Sequence, residues 1–452
     1  MRFEITREYI DELRIKIEEK NQKDALSLIV NLYPADIAEI YNELNIDEAK
    51  FLYLLLDKEK ASDVLIELEE DDRERFLKVL PSDLIAKQFI NEMDSDDAAD
   101  IIGELPEKKQ EEVLSHIEDF SLAGDIVDLL NYDENSAGGL MAKELIAVNE
   151  NWSLLYSLKE MRKQAEKIDE LFYVYVVNDD NILNGTLSLK RLLLAQSAKL
   201  ISEIVNYKVI SVKTDTSSEE VANIMKKYDL VALPVLDGIG RLVGRITIDD
   251  VIDVIKEEAE KDYQMISGIS EDVEPNDSVF LLTRARLPWL LIGMIGGIFG
   301  AEAMSNYKND LAENASLALF IPLIAAMAGN VGVQSSSIVV QGLANQTIYL
   351  GSTFKKVMKE IAVALSNGLI CSSLIFIYNL IFSDSFALTL TVSISLFIVI
   401  LFASTFGTFV PMALNRLKID PAVATGPFIT TVNDIIGLII YLTIGRILFG
   451  IF

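Results

Sequence analysis

The chain changes character near residue 280. Before that point apolar residues come in short blocks broken by acidic turns; beyond it they run together with almost no charge between them. Within residues 1–130, Pro81-Ser-Asp-Leu, Met93-Asp-Ser-Asp-Asp-Ala-Ala-Asp100 and Leu105-Pro-Glu-Lys-Lys read as successive helix starts, each a polar cap ahead of an apolar stripe. Their spacing of 12–13 residues predicts short helices wound into a superhelix. A membrane span needs about 20 predominantly apolar residues. Five segments qualify, 285–304, 315–343, 361–382, 386–414 and 422–448.

Between these regions the sequence repeats itself. Glu144-Leu-Ile-Ala-Val148 with Met161-Arg-Lys163 recurs as Lys208-Val-Ile-Ser-Val212 with Met225-Lys-Lys227, an offset of 64 residues. Tyr175-Val-Val-Asn-Asp-Asp with Gly185-Thr-Leu-Ser-Leu recurs as Pro234-Val-Leu-Asp with Gly244-Arg-Ile-Thr-Ile, offset by 59, so the first copy carries a five-residue insertion around Lys163–Leu171. Each copy predicts strand, amphipathic helix, strand, turn, strand, helix. The pair resembles tandem cystathionine-β-synthase (CBS) domains. Gly244-Arg-Ile-Thr247-Ile-Asp-Asp250 is similar to that family's ribose-binding Thr-x-x-Asp, which implies ATP or another adenine nucleotide at Thr247 and Asp250. A plain helix cap is the competing reading. The expected domains are an acidic helical body over 1–130, CBS units over 131–200 and 201–255, a connecting helix over 256–280 and a membrane domain over 281–452.

Charge sharpens this division. Of 69 acids and 40 bases, seven and nine fall within 280–452; the 62 and 31 that remain give residues 1–279 a net charge of −31. So acidic a body excludes nucleic acid, which needs a basic surface, and suits collection of divalent cations. One cysteine, Cys371, and one histidine, His116, exclude a disulfide and a Cys/His zinc cluster. Arg284, Arg286, Lys355, Lys356, Lys359, Arg416 and Lys418 flank one side of the five spans, while the opposite loops hold Lys308 beside Asp310 and Glu313, and Ser383-Asp384-Ser385. By the positive-inside rule the N-terminus is cytoplasmic and the C-terminus outside. The absence of a signal-like apolar run at Met1 agrees, and a multi-pass plasma-membrane protein is expected.

Three features carry chemistry. Asp434 lies near the middle of the fifth span, where a charge costs at least roughly 2.5–3.5 kcal/mol. It either faces a protected polar path for cations or has a buried partner, Arg446 or Arg416 on another helix, or a proton. The second span contains Ala328-Gly-Asn-Val-Gly-Val-Gln-Ser-Ser-Ser337, a polar, glycine-broken patch. There Asn330 and Gln334 share a helical face and are candidate pore-lining groups with Gly329 and Gly332, helix–helix hydrogen bonding being the alternative. Finally, Asp249, Asp250, Asp253, Glu257, Glu258, Glu260 and Asp262 crowd one helix, with Asp250, Asp253 and Glu257 in a stripe. Like charges so spaced destabilise a helix. Magnesium, an oxygen-binding cation, would remove that penalty, making a gate that closes when metal-loaded; a solvated acidic face is the other reading.

Assembled, these pieces resemble the MgtE family of magnesium channels over essentially the whole chain. The motifs that carry the resemblance are Gly329-Asn-Val-Gly-Val-Gln-Ser-Ser336, Asp420-Pro-Ala422 and Asn433-Asp434-Ile-Ile-Gly437-Leu-Ile-Ile-Tyr441. The fold implied is a multidomain α-helical membrane protein: α-superhelical N domain, α/β tandem CBS domains, connecting helix and five transmembrane helices. The resemblance implies a homodimer with its pore between the membrane domains, Asp434 as central ion site and Asp420 at the cytoplasmic mouth. It implies regulatory metal positions at Asp96, Asp100, Glu219, Asp229, Asp250, Asp253, Glu258 and Asp262. Gly426 occupies a position that can be asparagine in the family. The expected function is a Mg²⁺-selective channel for uptake, gated by intracellular Mg²⁺. A proton-coupled divalent cation carrier in which Asp434 titrates is the rival, and a membrane-bound sensor a third reading. No phosphate-cradling loop or His-based triad is present, so no enzyme activity is expected.

Overall fold

The computed structural model describes residues 5–168, 171–196, 199–271, 273, 275, 277–344, 353–383, 385–424 and 426–451. Asp384 and the side chains of Lys355 and Lys356, used above for orientation, lie outside the described residues. The chain forms two compact units, residues 1–256 and 257–452.

The first unit begins with ten short helices: α1 (Arg7–Glu18), α2 (Gln22–Ile29), α3 (Pro34–Tyr41), α4 (Ile46–Tyr53), α5 (Lys58–Ile66), α6 (Glu70–Lys78), α7 (Ser82–Gln88), α8 (Ser95–Gly103), α9 (Glu107–Leu114) and α10 (Phe120–Leu129). Thr6, Asn21, Asn45, Asp57 and Asp119 cap α1, α2, α4, α5 and α10 with their side chains. Tyr33, Pro81 and Pro106 precede α3, α7 and α9 without such a cap, against the polar starts expected at Pro81 and Leu105-Pro. Asn45 accepts from the Glu48 amide at 3.0 Å while the Glu48 carboxylate accepts from the Asn45 amide at 2.9 Å, a closed capping box ahead of α4. The apolar stripes meet in one core, where Tyr53 stacks on Phe76 at 4.6 Å between ring centroids and meets Phe89 edge-on at 5.6 Å.

Two small sheets follow. In the first, β1 (Ile146–Asn149) runs parallel to β2 (Val174–Val177), which pairs antiparallel with β3 (Leu183–Leu187); in the second, β4 (Val212–Lys213), β5 (Ala232–Leu236) and β6 (Leu242–Thr247) repeat that order. The parallel pairs need a crossover, supplied by α11 (Leu154–Gln164) and α13 (Ser218–Tyr228), and α12 (Leu189–Leu194) and α14 (Ile248–Ile266) close the copies. The internal repeat is therefore structural.

In the second unit, α15 (Val279–Ser305), α16 (Lys308–Glu313), α17 (Ile321–Ala344), α18 (Thr353–Phe382), α19 (Phe386–Arg416) and α20 (Gly426–Phe449) include, among the described residues, five helices long and apolar enough to cross a membrane. Of α19's apolar window 61% is buried against 6% for α15, so α19 is the central post and α15 the periphery. Helix α17 runs unbroken through Gly329 and Gly332, as the shared helical face of Asn330 and Gln334 requires. Its glycines serve close approach. Gly332 lies in the bundle interior, where an added Cβ would sit 1.9 Å from Asn433 Nδ2, so it is a packing residue and not an open lining position. A Cβ on Gly407 of α19 would stand 2.4 Å from the Gly332 carbonyl oxygen. Gly407→Ala is accordingly expected to lower the thermal unfolding midpoint in detergent, by the equivalent of roughly 1–3 kcal/mol for an overpacked contact. Gly297→Ala, with nothing within 4 Å of its Cβ, serves as the neutral control; equal midpoints for the two variants would refute the tight α17–α19 contact.

Candidate functional site

Asp434 sits on α20, half-buried in an apolar helix, and its Oδ1 has no hydrogen-bond partner. The facing surface is the backbone of α17: a Cβ on Gly329 would come within 3.2 Å of that oxygen and 3.0 Å of Thr430 Cγ2. Arg446, the partner considered from sequence, is engaged elsewhere. Its Nε and Nη2 donate to Asp310 Oδ2 at 2.9 and 2.7 Å, Nη2 also donates to the Asn306 carbonyl at 2.8 Å, and the guanidinium lies 4.3 Å over the Tyr307 ring. Among the described residues no ion pair involves Asp434. Asn330 and Gln334 are exposed on α17, as their shared face predicts.

Just ahead of α20, Asp420 accepts the Ala422 amide at 2.8 Å and so caps the short turn of 421–424. Gly426 meets the end of α14, where a Cβ on it would lie 2.3 Å from the Ile266 carbonyl oxygen. Gly268, whose φ of +81° suits glycine, would with a Cβ reach Pro427 at 2.6 Å. Two glycines thus form a joint between α14 and the helix that carries Asp434.

A second concentration of carboxylates joins α8 to the repeat. Asp94, Asp96 and Glu144 each offer an oxygen within 4.8 Å of the others, and Asp97, Asp100, Asp249 and Asp250 crowd the same place. Ser95 donates from Oγ to Glu144 Oε2 at 2.7 Å, and Arg245, nearly buried, donates to the Glu144 carbonyl and reaches Asp94 at 3.4 Å. Arg245 and Arg73, whose charge acts on Asp100, are too few to balance these carboxylates. Burial, then neighbouring carboxylates, lifts Asp96 well above the usual carboxylate range and pushes Asp97 up to about 7. Hard oxygens that resist ionisation unless a cation arrives fit Mg²⁺.

Sequence reasoning named Asp96, Asp100 and Asp250 in this cluster and missed Asp94, Asp97 and Glu144. The Asp-Ser-Asp-Asp run held the first two in view, whereas Glu144 gave no signal, lying at the head of a predicted strand. Asp253 comes near Glu67 at the end of α5, raising its pKa after burial does. Glu258 pairs with Lys261 at 3.4 Å, and Asp262 lies four residues further along α14. Glu219 and Asp229 occupy opposite ends of α13, about 15 Å apart at 1.5 Å per residue, so within one chain they cannot share an ion. Thr247 donates from Oγ1 and from its amide to Asp250 Oδ2 at 2.7 and 3.2 Å. The Thr-x-x-Asp pair is closed as a helix cap, with Asp250 also facing the acidic cluster.

Comparison with known proteins agrees with this architecture. Residues 321–444 match the family described as a divalent cation transporter, MgtE; 32–135 match the MgtE intracellular N domain; 137–198 and 201–257 match CBS domains. The magnesium transporter MgtE of Bacillus subtilis is 32% identical over 438 residues, 96% of each chain. The chain belongs to the MgtE family. The magnesium transporter MgtE of Thermus thermophilus is 31% identical over 96% of this chain and 97% of its own. Among solved structures, the cytosolic domain of the Mg²⁺ channel MgtE in complex with ATP is 33% identical with a TM-score of 0.51, covering 54% of this chain and 99% of that one. The soluble part of a magnesium transporter is 30% identical with a TM-score of 0.50, covering 56% and 98%.

In this MgtE-family chain the acidic cluster should respond to protons with a definite sign. Acids whose folded pKa lies above an unfolded value near 4 favour the folded contact most at low pH; that contribution is lost as pH rises toward about 7, here set by Asp97. With a chelator present, amide exchange in 94–103 and 143–145 of the full chain is expected to slow, after correction for intrinsic rates, between about pH 7.5 and about pH 6. Saturating Mg²⁺ should flatten that dependence. Metal-free protection independent of pH would contradict the assignment.

Proposed function

We propose that this protein is a Mg²⁺ channel that admits magnesium across the plasma membrane down its gradient and closes when intracellular Mg²⁺ loads its acidic cytoplasmic domains. The observation that carries the reading is Asp434, an intramembrane carboxylate with an unpartnered oxygen beside a glycine backbone. Its nearest basic candidate, Arg446, is held by Asp310. Mg²⁺ sheds water reluctantly, so Asp434 grips a largely hydrated ion through its shell, with Asn330, Gln334 and main-chain carbonyls, that of Gly329 among them, accepting from the waters. Two copies in a homodimer bring two Asp434 carboxylates to one divalent ion, balancing its charge. The N-terminal domains are cytoplasmic and the C-terminus outside. Names of the relatives support magnesium as cargo, and the ATP-bound neighbour supports an adenine nucleotide at the CBS pair of this chain.

Gating runs along α14. Mg²⁺ among Asp96, Asp100 and Asp250, and at Asp253, Glu258, Asp262, Glu219 and Asp229, cancels repulsion and holds the acidic bodies together. The far end of α14 abuts Gly426, at the start of the helix that bears Asp434. Asp420 meets ions at the mouth.

In proteoliposomes with low internal magnesium, Asp434→Ala is expected to cut Mg²⁺ flux about tenfold or more, the loss of at least roughly 1.4 kcal/mol of ion stabilisation. Unchanged flux would remove Asp434 from the pathway, and flux that tracks an imposed proton gradient would favour the proton-coupled carrier. Gly426→Ala, which sets a methyl against the Ile266 carbonyl, should raise the internal Mg²⁺ needed for closure; a wild-type closing curve would count against coupling through that joint.

A further inference from the structure

Glu360 was counted from sequence as lying just outside the third span. In the structure it lies within it, in the apolar stretch Val357–Phe382 of α18. An ionisable residue there demands a reason. Its Oε1 accepts Ser335 Oγ of α17 at 2.8 Å and lies 3.4 Å from Ser404 Oγ of α19, and the two hydroxyls are 2.9 Å apart. Both serines are almost fully buried, at 4% and 2% exposure. Each hydroxyl has one proton to give. With Ser335 donating to Glu360, Ser404 donates to Ser335 or to the carboxylate, so the chain of donors ends on Glu360. Ser404 is fixed in turn, since Thr408 Oγ1 donates to its carbonyl at 2.8 Å.

The place of this knot matters more than its strength. Ser335 follows Gln334 directly and is one turn beyond Gly332, the residue that touches Gly407. Ser404 is one turn before Gly407 on α19, which as the fourth span runs in the same direction as α17, the second. The glycine contact and the serine contact are thus two diagonal rungs at one crossing of α17 and α19. The glycine rung fixes the distance between the helices without fixing rotation, because it presents only backbone. The serine rung, tied to a third helix by Glu360, fixes rotation. Rotation of α17 decides where Gly329, Asn330 and Gln334 stand relative to Asp434.

We propose that Glu360 is a positioning residue for ion recognition: through Ser335 and Ser404 it locks the azimuth of α17 and so holds the polar rim opposite Asp434. The proposal rests on the channel reading above. It does not place Glu360 in the ion path, since its partners face the interior of the bundle.

The test measures Mg²⁺ flux into proteoliposomes of the full chain against external Mg²⁺, with Ca²⁺ as competitor, for Glu360→Ala, Glu360→Gln and Ser404→Ala. Loss of a net hydrogen bond corresponds to about a 3- to 10-fold effect. Glu360→Ala should raise half-saturating Mg²⁺ by that factor and reduce discrimination against Ca²⁺. Glu360→Gln, whose amide oxygen still accepts from the hydroxyls, should restore both, and Ser404→Ala should show a smaller shift in the same direction. If Glu360→Ala fails to fold, the Gln and Ser404→Ala variants decide: wild-type values in Ser404→Ala would overturn the proposal. So would a Glu360→Ala that lowers maximal flux while half-saturation and discrimination stay put, which marks a merely structural role. Asp434→Ala, run alongside, separates the two failures. Wild-type recognition in Glu360→Ala with flux abolished in Asp434→Ala sinks only the clamp, whereas full flux in Asp434→Ala sinks the channel reading beneath it.

Discussion

A carboxylate with an unsatisfied oxygen in an apolar helix is expensive, and the membrane unit is organised around keeping Asp434 in that condition. An acid there would ordinarily find a cation or a hydroxyl. Here Gly329 lies beside it, and a glycine offers no side chain to donate. The arginine on the same helix, Arg446, is spread over a carboxylate, a carbonyl and a ring at the far end of α20. That cluster is half-exposed and so contributes little to stability. Its consequence is electrostatic, because it removes a competitor for the acid.

The cytoplasmic cluster obeys the same rule in a wetter setting. Carboxylates from α8 meet those at the start of α14, with Arg245 and Arg73 too few to balance them. The helix that receives this contact at Asp250 ends at Ile266, sixteen residues or about 24 Å further on. There two glycines let its carbonyl and turn lie flush on Gly426 and Pro427.

Much of this was legible in the residues. The repeat offsets found both small sheets, since strand and helix periodicities differ and the copies reinforce each other. Spans appeared because apolar length is a strong signal, and Asp434 because a lone charge in such a run is conspicuous. What was not legible depends on which face of a helix meets which neighbour. Gly332 and Gly329 look alike in sequence, yet one is packed under Asn433 and the other faces Asp434. Glu360 follows Lys355, Lys356 and Lys359 and reads as part of a charged loop; only the early start of α18 at Thr353 puts it inside the bundle. Glu144 joins the acidic cluster through a contact 49 residues away in the chain, with Ser95, and no local pattern announces such a partner.

Glycine and serine divide the labour along α17 in a way that bears on selectivity. Close backbone contact at Gly332 and Gly407 brings the helices within reach, which hydrophobic side chains would prevent. Small contact surfaces leave a helix free to turn, however, and a turn of α17 would carry Asn330 and Gln334 away from the acid they accompany. On the proposed reading, in which Asp434 grips a hydrated ion, the rim must be held within a fraction of a water diameter. Lipid-like packing specifies position too loosely for that. Directional bonds do better, and in an apolar bundle their loss is not compensated by water. This explains why a hydroxyl pair and a carboxylate stand one turn from the glycine contact, and not at a helix end where solvent would weaken them.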